Sequence, residues 1–243
     1  MTVRLTFVPL ALVLVVSAVT FAQPVAPVDL GSLSLGAKIV GPVGPEVDAT
    51  ITFDDNGTIT GIADLIGSVS CDDRFVTGCA ESDVQGFSDV VYTYVHQVIP
   101  GVDLPNDPPF PAPDVVIPFD DVTEFRLGFT AHGFNGVAGF DFGEATAAVG
   151  SPAVVTIDQT AGGELVWSLP DGSGWDTGET LTFFWQTDRR PVGPGGVYIA
   201  SDGGITGSGA GPLPDPVPEP SGWVLALIAW IGFRVACSKR VAS

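Results

Sequence analysis

The stretch Val47–Phe53 (Val-Asp-Ala-Thr-Ile-Thr-Phe), followed by Asp54-Asp55-Asn56-Gly57 and then Thr58–Ala63, indicates the fold class most clearly. Apolar and polar residues alternate on both sides of the Asn-Gly pair, which is the pattern of two half-buried strands. Asn-Gly between alternating segments is the strongest short hairpin signal, because both residues accept the positive φ of a tight turn. The stretch therefore predicts an antiparallel β-hairpin.

Similar strand-like runs recur between turn residues on both sides of this hairpin. They are Ser32–Val40, Val90–Ile99, Glu124–Thr130, Gly136–Phe142, Ala153–Asp158, Glu164–Leu169, Thr180–Thr187 and Val197–Ala200. A sustained helical period is seen only at the two termini. About ten short strands at this spacing predict an all-β fold, namely an antiparallel β-sandwich or jelly-roll-like domain.

The N-terminus predicts a secretory signal peptide over residues 1–22. Arg4 supplies a short positive region, Leu5–Val16 an apolar helix, and Thr20-Phe21-Ala22 a small-x-small cleavage site. Cleavage after Ala22 would leave Gln23 as the first residue. The polar, proline-rich sequence that follows favours removal of this helix over its retention as a membrane span.

The C-terminus combines a hydrophobic helix with positive charge. Trp223–Phe233 contains no charged residue and would span about 16 Å as a helix, roughly half of a bilayer's hydrocarbon core. Arg234, Lys239 and Arg240 follow and would hold the end of the chain on the cytoplasmic side. The alternative is a buried or amphipathic C-terminal helix, which the apolar character of every face of the run disfavours.

Pro218-Glu219-Pro220, the hydrophobic helix and the basic end follow one another in that order over Val217–Arg240. This arrangement resembles the PEP-CTERM sorting signal of exported bacterial proteins. The resemblance implies recognition by an exosortase, a membrane-embedded cysteine protease that would cut near Pro-Glu-Pro. It further implies a transient inner-membrane anchor, and delivery to the cell surface or to a polysaccharide-containing extracellular matrix.

These segments divide the chain into four predicted parts. Residues 1–22 are the signal peptide, 23–202 an acidic β-sandwich cargo domain, 203–216 a Gly/Pro-rich extended spacer, and 217–243 the sorting signal with its short transmembrane helix. The proline-rich stretch Gly101–Pro118 is expected to be a long loop across the sandwich and not a domain boundary.

Charge and cysteine content fit an exported protein. The chain has 28 acidic and 9 basic residues and a net charge of −19. Such an acidic surface repels phosphate backbones and argues against nucleic-acid binding, whereas it suits solubility or loose association with divalent cations. Cys71 and Cys79 enclose a short loop and are candidates for a local disulfide in an oxidising compartment.

Catalytic chemistry finds little support in the sequence. His96 and His132 are the two histidines; His96 lies in a strand-like run and is expected to be packed or solvated, and His132 lies in a turn-like segment. No Gly-x-Ser-x-Gly motif is present, and with so many acids any carboxylate pair is uninformative. We therefore expect no enzyme activity and no cofactor.

The Gly-rich segment 171–179 offers a weak calcium site. Asp171, Ser173, Asp176 and Glu179 would supply hard oxygen ligands from a flexible loop, although their spacing matches no established calcium motif. Trp175 in the same loop is expected to face solvent, where it would be able to stack on a sugar.

Together these observations predict a sorted surface or matrix protein with a structural or binding role. The alternatives are an extracellular hydrolase or lyase that acts on polysaccharide, and a calcium-dependent carbohydrate-binding or adhesion module.

Overall fold

The structure, a computed structural model, describes residues 22–39, 46–55, 58–105, 119, 121–170, 172 and 174–216. Within these ranges the strands are β1 (Gln23–Val25), β2 (Val28–Asp29), β3 (Leu35–Lys38), β4 (Val47–Asp55), β5 (Thr58–Asp72), β6 (Tyr92–Pro100), β7 (Glu124–Leu127), β8 (Phe134–Phe140), β9 (Thr156–Gln159), β10 (Leu165–Ser168), β11 (Leu181–Thr187), β12 (Pro191–Ser201) and β13 (Thr206–Pro214). The helices are α1 (Glu81–Val84) and α2 (Phe142–Val149), and short 3-10 segments cover Leu30–Ser32 and Pro152–Val154.

The fold is mostly β, and the predicted hairpin is confirmed. β4 pairs antiparallel with β5, with Asp55 opposite Thr58 across the two-residue Asn-Gly connection. Every other predicted run also overlaps an observed strand. β5 continues past the predicted end at Ala63 as far as Asp72, and this longer strand pairs with β3, β4 and β6.

One curled sheet contains all of the described strands. Its hydrogen-bonded order is β1-β9-β10-β7-β12-β13-β4-β5-β6-β11-β8-β2, with β3 added to β5. The two strands at its opposite edges, β1 and β2, are separated along the chain only by Ala26 and Pro27. So short a connection requires the sheet to curl until its edges approach each other.

Aromatic side chains fill the space between the two halves of this sheet. The rings of Tyr198 on β12 and His96 on β6 have centroids 4.2 Å apart, and those of Phe125 on β7 and Phe183 on β11 are 4.7 Å apart. All four side chains are fully buried. Because each pair joins strands that are distant in the sheet, the core lies inside the curl.

The prediction that residues 203–216 form an extended spacer is wrong. Strand β13 occupies most of this segment and lies inside the sheet between β12 and β4. Glycine allows this close approach. A Cβ atom at Gly207 would stand 2.8 Å from the ring of Phe119 and 2.9 Å from a methyl group of Ile51. Gly/Pro-rich composition here reflects tight packing and not an extended linker.

Helix α2 was not predicted from the sequence. It begins after Asp141, whose carboxylate accepts hydrogen bonds from the amides of Gly143 and Glu144, and it ends at Gly150 with φ of 76°. An Asp before an Ala-rich run and a Gly after it are the ordinary start and stop signals of a helix. These signals would have located α2 despite its short length.

Candidate functional site

The Gly-rich loop at residues 172–179 contains the described part of the predicted calcium set. Asp171 and Ser173 lie outside the described residues. Asp176 accepts a hydrogen bond from the amide of Asp121 at 3.0 Å, and Glu179 accepts one from the amide of Asp176 at 2.9 Å. Both carboxylates therefore bind backbone amides and hold the loop closed.

Asp121 fixes this loop from the other side. Its two carboxylate oxygens accept hydrogen bonds from the amides of Gly172 and Gly174 at 2.8 and 3.2 Å. Its own φ of 51° is unusual for a residue other than glycine. Among the residues that the structure describes, no group of three or more His, Cys, Asp or Glu side chains is arranged to hold a metal ion.

Replacing Asp121 by Ala is expected to lower the free energy of unfolding by about 1–3 kcal/mol, because two loop amides lose their acceptor. Asp121→Asn should cost less, since Asn tolerates the left-handed conformation and keeps one carbonyl oxygen. Urea unfolding followed by Trp fluorescence measures both variants. Equal stability of Asp121→Ala and the wild type would contradict this role.

Trp175 does not face solvent, and that prediction is wrong. Its side chain is fully buried, its indole nitrogen donates a hydrogen bond to the carbonyl of Glu179 at 3.1 Å, and its ring packs edge-on against Phe183. The loop closes over the tryptophan, so flanking glycines were a poor guide to exposure.

A second acidic cluster surrounds the start of α2 and was missed in the sequence. Asp29 accepts a hydrogen bond from the amide of Phe142 at 3.1 Å, beside the helix cap formed by Asp141. Burial raises the pKa of Glu144 above its usual value, and the nearby charge of Asp141 adds to this, while a hydrogen bond from Thr182 opposes it. All three carboxylates are thus engaged by backbone amides, that of Glu144 through the backbone of Thr182.

His96 is the buried titratable group at the centre of the core. Its Nε2 accepts a hydrogen bond from the indole of Trp185 at 3.3 Å, and its Nδ1 has no hydrogen-bond partner among the described residues. Complete burial lowers its pKa to about 3. His96 is therefore neutral at physiological pH and packs against Tyr198 as part of the core.

Arg74 organises the disulfide loop at the end of β5, where Cys71 and Cys79 are bonded in the structure. Its guanidinium donates to Asp72 at 2.8 Å and to Asp89 at 3.0 Å. The hydrogen bond from Arg74 is the main reason that the pKa of Asp72 is lowered to about 2. These contacts tie the loop to the segment that leads into β6.

Phe87 is the exposed aromatic residue in the described part of the chain, with 54 % of its surface accessible. It stacks edge-on against Phe75 at 5.3 Å, and the Arg74 guanidinium lies 6.0 Å from its ring. Its polar neighbours in Gln85-Gly86-Phe87-Ser88 are the sequence signal that would have suggested exposure. Among the described residues, Phe87 and not Trp175 is therefore the aromatic side chain that is exposed to solvent.

A mainly apolar cavity of about 600 Å³ lies beside the edge of the sheet. It is lined by Pro24, Val25, Pro27, Phe142, Pro152, Ala153, Val155, Thr156, Ile157 and Asp158. Its size is in the range of small-molecule pockets, but its lining offers few of the convergent polar groups that orient a ligand.

The first and last described strands lie next to the two predicted processing sites. Gln23, which would follow signal-peptide cleavage, is the first residue of β1. Pro214 ends β13, and the amide of Asp215 then donates to the carbonyl of Arg190 at 2.8 Å. Only residues 215–217 separate β13 from the Pro218 of the predicted sorting motif, a reach of about 14 Å when fully extended.

No family model, curated protein or solved structure matches this chain. In the part of the chain that the structure describes, no helix has the length and apolar character needed to cross a bilayer. Both predicted targeting helices, with Pro218, Glu219, Pro220, Arg234, Lys239 and Arg240, lie outside that part.

Proposed function

We propose that this chain is an exported bacterial surface or matrix protein that an exosortase processes at its C-terminal signal. The observation that carries the proposal is that the strands of the sheet, from Gln23 to Pro214, lie between the two predicted cuts. Cleavage after Ala22 and near Pro218–Pro220 would remove both targeting segments and leave every described strand intact. A domain with these limits suits a protein that is trimmed at both ends.

Two further features support export. A disulfide between Cys71 and Cys79 persists in oxidising compartments such as the cell surface and is rare in the cytosol. The excess of acidic over basic residues keeps a protein soluble in an extracellular setting. In finer detail, we propose that the curled sheet is a jelly-roll-like sandwich, since its two halves enclose one aromatic core.

The proposed role of the domain is structural or binding, and not hydrolase or lyase catalysis. The carboxylates of Asp121, Asp176 and Glu179 close a loop, and those of Asp29 and Asp141 hold the start of α2. Carboxylates engaged in this way favour architecture over acid–base chemistry or calcium binding. Exposed Phe87 beside Arg74 offers a small surface for contact with extracellular polysaccharide.

Glu219→Ala tests the sorting proposal, because it removes the central residue of the motif. In the native host, or in a host with a matching exosortase, the wild-type protein should lose both ends and leave the inner membrane. The Glu219→Ala protein should retain its C-terminal tail and stay in the inner membrane. Intact mass and cell fractionation measure both properties.

Asp215→Ala is the matched control, since it removes the same charge four residues upstream, outside the predicted motif. Its processing should equal that of the wild type. A wild-type protein that keeps its tail and fractionates with the Glu219→Ala variant would mean that the tail is an anchor alone, and would overturn the proposal.

A further inference from the structure

Gln23 lies at the start of an edge strand and directly after the predicted signal-peptide cleavage site. It is the first residue of the edge strand β1, where it pairs with Gln159 of β9. Both Gln23 and the preceding Ala22 are exposed. The bond predicted to be cut on export is therefore next to a glutamine whose side chain is free to move in solvent.

An N-terminal glutamine carries a nucleophile and an electrophile within reach of each other. Once its α-amine is released and neutral, the amine nitrogen attacks the side-chain carbonyl carbon Cδ. The new C–N bond closes a five-membered lactam, the Cδ–Nε2 bond breaks, and ammonia leaves with the proton that the amine gives up. No oxidant, reductant or other co-reactant is required.

We infer that Gln23 is a modification site and that the mature protein begins with pyroglutamate. This inference rests on the proposed export, because only cleavage after Ala22 frees the Gln23 amine. An α-amine has a pKa near 7.7–8.0, so that a reactive neutral fraction is present at neutral pH. Cyclisation would replace the charged amine by a neutral lactam that still has one N–H.

The fold permits this ring without loss of the strand. Strand β1 is held in place independently of the Gln23 side chain, because the next two residues also pair with β9. Pro24 lies opposite Asp158, and Val25 lies opposite Ile157. Since Gln23 is exposed, the side chain can turn back toward its own nitrogen without displacing core atoms. The lactam would also remove the free amine that aminopeptidases require at this edge of the sheet.

The test uses the full chain expressed with its own leader in an exporting bacterial host. The N-terminal peptide of the recovered protein is measured by mass spectrometry and by susceptibility to stepwise Edman degradation. We expect a peptide that starts at residue 23, is lighter than its sequence by one ammonia, and is blocked to degradation. Gln23→Asn is the matched control, because its shorter side chain would have to close a strained four-membered ring; it should be cut at the same bond and keep a free amine.

The outcomes separate this inference from the export proposal. A wild-type protein that starts at Gln23 and keeps an open, free amine after prolonged incubation at neutral pH would overturn the pyroglutamate and leave the export proposal standing. A mature chain that starts at another residue would overturn the pyroglutamate alone, whereas an uncut chain would overturn both.

Discussion

A chain that stops after Ile205 is expected not to fold, whereas a chain that stops after Pro216 should be as stable as the domain within the full-length protein. The difference is β13, which joins β12 to β4 and pairs with β12 from Thr206 to Pro214. Its loss would divide the sheet and uncover the fully buried side chains of Tyr198 and Ile51. Because a domain is typically stabilised by only about 5–15 kcal/mol, we expect the loss of a strand inside the sheet to unfold it. Circular dichroism and thermal unfolding of the two truncated proteins measure the effect.

A pair of point variants tests the same packing without removing the strand. Gly207→Ala should lower the free energy of unfolding by about 1–3 kcal/mol, because its new methyl group would overlap the ring of Phe119. Gly204→Ala, in the exposed turn before β13, meets no atom within 4 Å and should have little effect. Cooperative unfolding of the protein that ends at Ile205, or equal stability of the two alanine variants, would contradict the placement of β13 inside the sheet.

His96 is expected to make the domain lose stability in acid over a defined range of pH. Its pKa is about 3 in the folded protein and near 6.5 in an unfolded chain, so the unfolded state binds more protons between these values. The part of the unfolding free energy that depends on a neutral His96 is fully present above pH 6.5 and is lost as the pH falls toward 3. The loss is about 1.4 kcal/mol per pH unit, or about 3 kcal/mol between pH 6.5 and pH 4.

His96→Gln isolates this contribution, because glutamine retains an acceptor for the indole of Trp185 but does not titrate. The difference in unfolding free energy between the wild type and His96→Gln should therefore shift by about 3 kcal/mol in favour of the variant from pH 7 to pH 4. Carboxylates such as Asp72 titrate in both proteins and cancel. In the folded wild type, the NMR signals of the His96 ring should remain unchanged over the same range. If the unfolding free energies of the two proteins changed in parallel with pH, His96 would be able to accept a proton in the folded protein at no cost in stability, and the prediction would be wrong.

Local patterns were sufficient to predict most of the strands, because the alternation of apolar and polar residues and the turn residues lie close together in the sequence. The hairpin at Asn56-Gly57 and the run Thr180–Thr187 are examples. β13 was not predicted, because a segment rich in glycine and proline can be either an extended spacer or a strand that packs closely against large side chains. Only bulky residues elsewhere in the chain, such as Phe119 and Tyr198, decide that these glycines are needed for close packing.

The candidate sites were harder to predict for the same reason. Trp175 lies among glycines, and its burial depends on Phe183 in a separate strand and on the closure of its loop by Asp121. His96 was expected to be packed or solvated, and its complete burial depends on the curl that brings Tyr198 against it. The neighbours that decide exposure and pKa are distant in sequence.

The central position of β13 also determines when an exported chain can fold. In the proposed export, translocation proceeds from the N-terminus, so β13 would be the last of the described strands to leave the secretion channel. Until it does, β12 and β4 lack the strand that joins them, and the two halves of the sheet cannot close around the aromatic core. A chain exported in this way would complete its sheet only once residues up to Pro214 are outside the membrane.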